Sequence, residues 1–419
     1  MNKFLSNSKR DFIYLLILTL PIFAVLSILI LEIVLIIISI TFLIKVFKSK
    51  KFYYFNNFFF KFISIFYLYI ITNFLIQIES IDTLSIIFYF RYSIYVLAIY
   101  FFLDNKENLF YDFLKVISVV IVFLGLDVII QSIFHYNIIG MEIIEKNRGS
   151  SFFGDELILG SYVFRLLPFI FMLCVLDSKI FTNKIKFTLI FLSFLIVFLS
   201  GERTSMLLSI FLLIIYFIFL REDKIIKYLK IISFFLFVAI LITLIFSKDY
   251  RYRYISEPLK DLSSKNIVTQ NLLEGYDHDP KIIYFSGLHH NLMITSLRIF
   301  NENKFFGSGP RSYRNSCKDY QINKYSCDRH PHNYYLQLLA ETGIVGLSLL
   351  IFLYMTIVKE VIIIYKKKGK NYKIKICILA FYIAALWPII PSGNIFNNWL
   401  SIMNFLPASF YLFLSKKIN

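Results

Sequence analysis

HPHNYYLQLLAETGIVGLSLLIFLYMTIVK, from His330 to Lys359, opens polar and turns apolar. From Tyr334 to Ile357 it is long enough to cross a hydrocarbon core of about 30 Å. Its first residues hold two histidines, an asparagine, a glutamine and a glutamate. Polar groups entering a bilayer are expensive, so such a cluster marks a candidate functional site. Pro331 biases His330 towards an extended backbone and suits the first turn of a helix. Beyond it, Asn333, Gln337 and Glu341 recur four apart and share one helix face. They form a polar stripe with His330 and His332 at its mouth. The stripe either lines a substrate site or packs against neighbouring helices. Gly343 and Gly346 permit close helix contact.

Working outward, the chain is 58% hydrophobic with a mean hydropathy of +0.69, which excludes an ordinary soluble domain. Apolar runs near 11–28, 30–47, 62–79, 84–103, 112–134, 157–176, 186–200, 205–220, 231–247, 334–357, 375–391 and 396–414 predict about twelve membrane spans. The first run lacks a small-residue cleavage site and continues past signal length, so no cleavable signal is expected. Lysines and arginines crowd one set of loops (Lys9, Arg10, Lys45, Lys48, Lys50, Lys51, Lys179, Lys184, Lys186, Arg221, Lys224, Lys227, Lys230 and the run from Lys366 to Lys375). The opposite short loops, near 79–83 and 391–395, have none. This asymmetry predicts cytoplasmic termini. The net charge of +17 is thus mostly topogenic, and nucleic acid is not an expected partner. The fold class expected is an all-α polytopic membrane protein with one large outer loop domain. Residues 1–247 form a bundle of about nine helices, 248–333 a partly helical outer domain, and 334–419 about three further helices.

The outer segments depart from the charge rule. The loop from His135 to Glu156 holds Lys146 and Arg148, and the stretch from Lys248 to His332 holds thirteen Lys or Arg. A surface for an anionic substrate explains this; a solvated mixed-charge coil is the alternative. Within it, TSLRIFNENKFFG (Thr295 to Gly307) predicts a helix with an apolar face at Leu297, Phe300 and Phe305, ended by Gly307 and Gly309-Pro310. Cys317 and Cys327 fall in the same segment and would form a disulfide in an oxidising compartment. Free thiols are one alternative. Zinc held by both with His330 and His332 is another, although the spacing fits no common zinc pattern. Cys174 and Cys377 sit within spans as small hydrophobes.

LSGERTS, Leu199 to Ser205, puts Arg203 in a tight outer turn, where its fork of donors suits a phosphate. Pairing with Glu202 or anchoring to lipid is the plainer reading. NRGSSFFGDELILGSY, Asn147 to Tyr162, adds Arg148. Arg91, Asp127 and Arg165 fall inside spans and keep open a transporter or flippase of lipid-linked glycan.

SGERTS at 200–205, FFGSGPRSY at 305–313 and HPHNYYLQLLAETGIVGL at 330–347, in this order, resemble the O-antigen ligase and O-antigen polymerase superfamily; 148–162 is a weaker match. The resemblance covers about the C-terminal two thirds. It implies a glycosyltransferase of bacterial surface-polysaccharide (lipopolysaccharide) assembly in the inner membrane, with its active site facing the periplasm. The donor would be a glycan on undecaprenyl diphosphate. The acceptor would be lipid A core or a growing glycan, with no cofactor and no metal. Arg203 matches the family's first arginine, which stabilises the leaving diphosphate. His332, with His330 second, would take the acceptor proton, since histidine titrates near operating pH. Arg148, Arg298, Arg311, Asn333, Gln337, Glu341, His289 and His290 are the expected substrate-binding residues. The family's second outer-loop arginine has no clean match: Arg298 lies close to Gly307, and His289-His290 occupy the more usual distance.

Overall fold

The computed structural model describes residues 12–77, 81–145, 147–176, 181–220, 224–261 and 283–416. Lys9, Arg10, Lys146, Lys179, Arg221, and 262–282 of the outer segment lie outside the described residues.

The described residues are helical, with one isolated bridge between Tyr136 and Glu142. The long helices are α1 (Phe12–Leu26), α2 (Ile28–Ser49), α3 (Phe58–Ile76), α4 (Arg91–Asn105), α5 (Glu107–Phe134), α6 (Leu159–Val175), α7 (Asn183–Leu199), α8 (Arg203–Phe219) and α9 (Lys224–Phe246). Short helical turns follow over 248–261. Then come α10 (Gly287–Glu302), α11 (Tyr313–Tyr320), α12 (Tyr334–Lys367), α13 (Tyr372–Ala385) and α14 (Asn398–Lys416). A helix therefore lies over each apolar run. Among the described residues, five segments, Ile28–Ser49, Phe58–Ile76, Ser85–Asn105, Asn108–Phe134 and Tyr334–Lys367, are long and apolar enough to cross a membrane.

Ile-rich runs that would favour strands in water become helices here, because hydrocarbon offers no partner for an open backbone group. Polar residues fix where they start. Ser27 accepts from the Ile30 amide, Asn57 from Phe60, and Thr182 from Ile185. Apolarity on both faces is visible in α2. Leu31, Leu35, Ile38 and Phe42 are buried, while Ile33, Ile36, Ile40, Ile44 and Phe47 point outward. A helix in water would place polar groups on that outer face.

Helix α14 packs on α4, α13 on α6 and α8, and α7 on α5 and α6. Helix α12 packs on α13, α10 and α3. The expected boundary at 247 separates elements that touch. The Tyr250 hydroxyl donates to the Leu199 carbonyl, and the Tyr254 hydroxyl to that of Phe198.

Helix α10 begins before Thr295 and ends before Gly307, but its buried face differs from the expectation. His290, Asn291, Leu292, Thr295, Ser296 and Ile299 are buried, whereas Phe305 is exposed. Contact with Tyr313 and Ala340 selects this more polar face.

Candidate active site

The site begins at the head of α12. The Asn333 side-chain oxygen accepts from the Tyr335 and Leu336 amides at 2.9 and 3.1 Å and so starts the helix. Its amide group donates to the Tyr284 hydroxyl and the Pro388 carbonyl. His332 takes a left-handed backbone (φ 53°), and its carbonyl accepts from the Ser392 amide at 2.7 Å. The chain thus turns sharply at His332, held by the loop before α14.

That turn brings His332 to 4.1 Å from His330 and 5.7 Å from His289, measured between ring centres. His332 Nε2 lies 3.2 Å from Asp328 Oδ2. Ser286 caps α10 and lies 2.7 Å from His289 Nδ1, which fixes that ring. Burial, reinforced by the positive charge available to His332, pushes His330 down to about 3. Burial, then His332 and Arg203, push His289 down to about 4. The hydrogen bond from His332 holds Asp328 at about 2, against the opposing effect of burial. The cluster is therefore two neutral rings around one paired to an ionised carboxylate. His330 Nε2 is buried without a hydrogen-bond partner among the described residues.

Arg203 lies near enough to depress His289. It pairs with Asp261 at 3.2 Å and Glu257 at 3.9 Å rather than with Glu202. Glu202 has another task. Its carboxylate accepts from the Gly160 and Ser161 amides at the start of α6, and from the Ser205 hydroxyl. A carboxylate there complements the helix dipole, while burial pushes Glu202 upward. Arg148 reaches the same turn: a Cβ on Gly201 would meet its side chain. Arg148 pairs with Glu145 at 3.0 Å, and its Nε is buried without a hydrogen-bond partner among the described residues.

The rest of the polar stripe faces protein. Gln337 donates to Asn394 and Glu341 and accepts from the Ile395 amide. Glu341 accepts from the Arg311 and Tyr313 amides at 3.1 and 3.2 Å. Both side chains are buried. They fasten the 305–313 loop and the 388–395 loop to α12, which corresponds to the packing alternative for the stripe. Gly307 and Gly343, both with positive φ, complete that seam. The Ser308 and Gly309 amides donate to the Ala340 and Glu341 carbonyls.

Other expected residues are bonded to partners outside the His289–His330–His332 cluster. Arg311 reaches the Ser85 hydroxyl. Arg298 is exposed on α10 and reaches the Tyr320 carbonyl at 3.5 Å. It is nine residues beyond His289, roughly 13 Å along the helix. His290 is buried and accepts from the Tyr284 amide at 3.4 Å. Cys317 and Cys327 are joined as a disulfide with Cα atoms 5.2 Å apart, so neither offers a thiolate to zinc. Sequence reasoning passed over Asp328, Asp261 and Ser286; only Asp328, four residues before His332, carried a usable spacing signal.

Arg91, Asp127 and Arg165 all have partners within the protein. Arg91 pairs with Glu32 at 2.9 Å. Asp127 accepts from the Ile138 amide and the Ser151 hydroxyl. Arg165 donates to Asn404 and Ser161.

Compared with known families, residues 188–351 match the model described as O-antigen ligase. The resemblance drawn from the motifs at 200–205, 305–313 and 330–347 is borne out over that stretch; 148–162 falls outside it. No curated protein matches the chain.

Proposed function

From a chain whose residues 188–351 are similar to O-antigen ligases, we propose a membrane glycosyltransferase of surface-polysaccharide assembly, of ligase or polymerase type. The donor is a glycan on a polyprenyl diphosphate, undecaprenyl diphosphate in the inner membrane. The acceptor is a hydroxyl of lipid A core or of a growing glycan on the periplasmic side. The observation that carries the reading is the histidine cluster beside Arg203. His332 is bonded through Nε2 to Asp328, and its Nδ1 has no partner among the described residues.

In the reaction the acceptor oxygen attacks the anomeric carbon. The new C–O bond forms as the bond to the diphosphate oxygen breaks. The acceptor proton passes to His332 Nδ1, and the diphosphate leaves with the electron pair. An ionised Asp328 stabilises the imidazolium that results, as a carboxylate does in a catalytic triad. His289 and His330, kept neutral by burial, confine the charge change to one ring. The Arg203 and Arg148 guanidinium groups offset charge on the leaving diphosphate; the diphosphate takes the place of Asp261 and Glu257 on Arg203. Arg298, Arg311 and His290 stand outside the reacting centre. Asn333, Gln337 and Glu341 act by holding the two loops.

A transporter gains no support from Arg91, Asp127 and Arg165, because each of the three has a protein partner. The test is replacement of Arg203 and His332 by Ala in the producing strain, with surface glycan resolved by gel. The proposal expects loss of assembled polysaccharide at normal protein level; normal polysaccharide from both variants overturns it. Deleting the protein then distinguishes the two types. Long chains left on the carrier identify a ligase, and single repeat units on the core identify a polymerase.

A further inference from the structure

A cavity of about 500 Å³ runs between α3, α12, α13 and α14. Its walls are apolar, with Phe62, Phe66, Leu353, Ile357 and Phe405 among them. One end, at Tyr334 and Leu338, lies below the histidine cluster. The other end, at Glu360 and Lys375, lies beyond the break at Gly343, with roughly 24 Å of continuous helix from Ile344 to Glu360.

Lys375 is the anomaly. It is 9% exposed, yet its ammonium has no hydrogen bond or ion pair among the described residues. It lies 5.9 Å from the centre of the Tyr411 ring, and the Tyr411 hydroxyl is given to Glu360 at 2.9 Å. Among the described residues its charge is met only by an aromatic face and by Glu360, a carboxylate that the Tyr411 hydroxyl already shares, so an added anion would be stabilised there. Around it the sequence adds Lys366, Lys367, Lys368, Lys370 and Lys373 against the single Glu360. The charged end therefore suits an anion, and the apolar shaft suits a hydrocarbon chain.

We propose that the cavity seats an anionic phospholipid of the leaflet on the lysine-rich side, with its phosphate on Lys375 and one acyl chain along α3 and α12. Basic pockets between membrane helices commonly take anionic head groups. A donor tail entering from the histidine end would run its apolar terminus against Lys375 and Glu360, which disfavours that occupant. The lipid would fill space that α3 and α14 leave open beside α12.

The experiment uses the full chain, purified in detergent and delipidated. Binding of phosphatidylglycerol and of phosphatidylcholine with identical chains is followed by native mass spectrometry. The expected result is one retained phosphatidylglycerol, preferred about tenfold, as a charge-assisted contact gives. Lys375→Gln should abolish the preference and Lys375→Arg should keep it, which separates lost charge from lost folding. Ala408→Phe, which fills the shaft, should reduce retention of both lipids. Equal binding of the two lipids by the native chain overturns the proposal. So does an unchanged preference in Lys375→Gln, unchanged retention in Ala408→Phe, or a polyprenyl carrier that phosphatidylglycerol fails to displace.

Discussion

In the proposed reaction His332 would meet two demands through its two ring nitrogens: Nε2 is held by Asp328, and Nδ1 would receive the acceptor proton. A base so arranged typically contributes 10²–10⁴-fold, so His332→Ala should lower kcat by about that range. Asp328→Asn should cost less, about tenfold, and should also move the pH profile, because the carboxylate acts through the imidazolium. Initial-rate kinetics across pH separate the two; a flat profile change in Asp328→Asn would leave that residue structural. His289 and His330 give a stability prediction. Their folded values, about 4 and about 3, lie below the ordinary histidine value near 6.5. The unfolded chain therefore binds the extra protons as pH falls. The stabilisation from keeping them neutral is complete above about pH 6.5 and is lost as pH falls towards 4 and then 3. Thermal unfolding between pH 7.5 and 4.5 should show a falling Tm, with a shallower slope in His330→Asn. Asp328 acts in a separate window, contributing above its ordinary value near 3.8 and losing that contribution as pH falls through about 2.

At the scale of elements, α12 is a hub broken on purpose. Its backbone leaves the helical range at Gly343 (φ 63°, ψ −164°), where the 305–313 loop crosses. A Cβ at Gly343 would collide with the Phe305 carbonyl, and one at Gly307 would come within 2.5 Å of the Ala340 carbonyl. Substituting Ala at either glycine should cost about 1–3 kcal/mol in strain and loosen the loop. Limited proteolysis between Lys304 and Arg314 reads that loosening; unchanged resistance would separate loop docking from the glycine seam. This part of the site was only half legible. The four-residue spacing put Gln337 and Glu341 on one face, where they are hydrogen-bonded, whereas Asn333 stands before the helix as its cap. What that face meets depends on loops about 30 and 55 residues away, and periodicity carries no information on them. The same limit applies to α10, whose buried face was set by Tyr313 and Ala340 rather than by its own apolar residues. Asp328 and His289 were likewise assembled by the fold, through the turn at His332 and the Ser286 cap.

Over the whole molecule, composition was the legible layer, since hydrocarbon leaves a long apolar run few options but a helix. Packing partners were not legible, because side chains of nearly equal apolarity face both lipid and protein. The orientation implied by the lysine asymmetry is testable. Tyr136→Cys should react with an impermeant thiol reagent from outside intact cells, and Lys370→Cys only after permeabilisation; the opposite pattern would invert the topology. The Cys317–Cys327 disulfide closes a short loop just before the histidines. Replacing both cysteines with Ser should cost about 2–3 kcal/mol, measured by chemical unfolding. The most direct test of glycan transfer at the histidine–arginine site uses purified protein in vesicles containing a labelled polyprenyl-diphosphate glycan and an acceptor. The native chain should release free polyprenyl diphosphate with stoichiometric acceptor glycosylation. His332→Ala and Arg203→Ala, folded and inserted, should leave the donor intact. Equal turnover by those variants, or none by the native chain with either lipid A core or a second glycan as acceptor, would contradict transfer at this site.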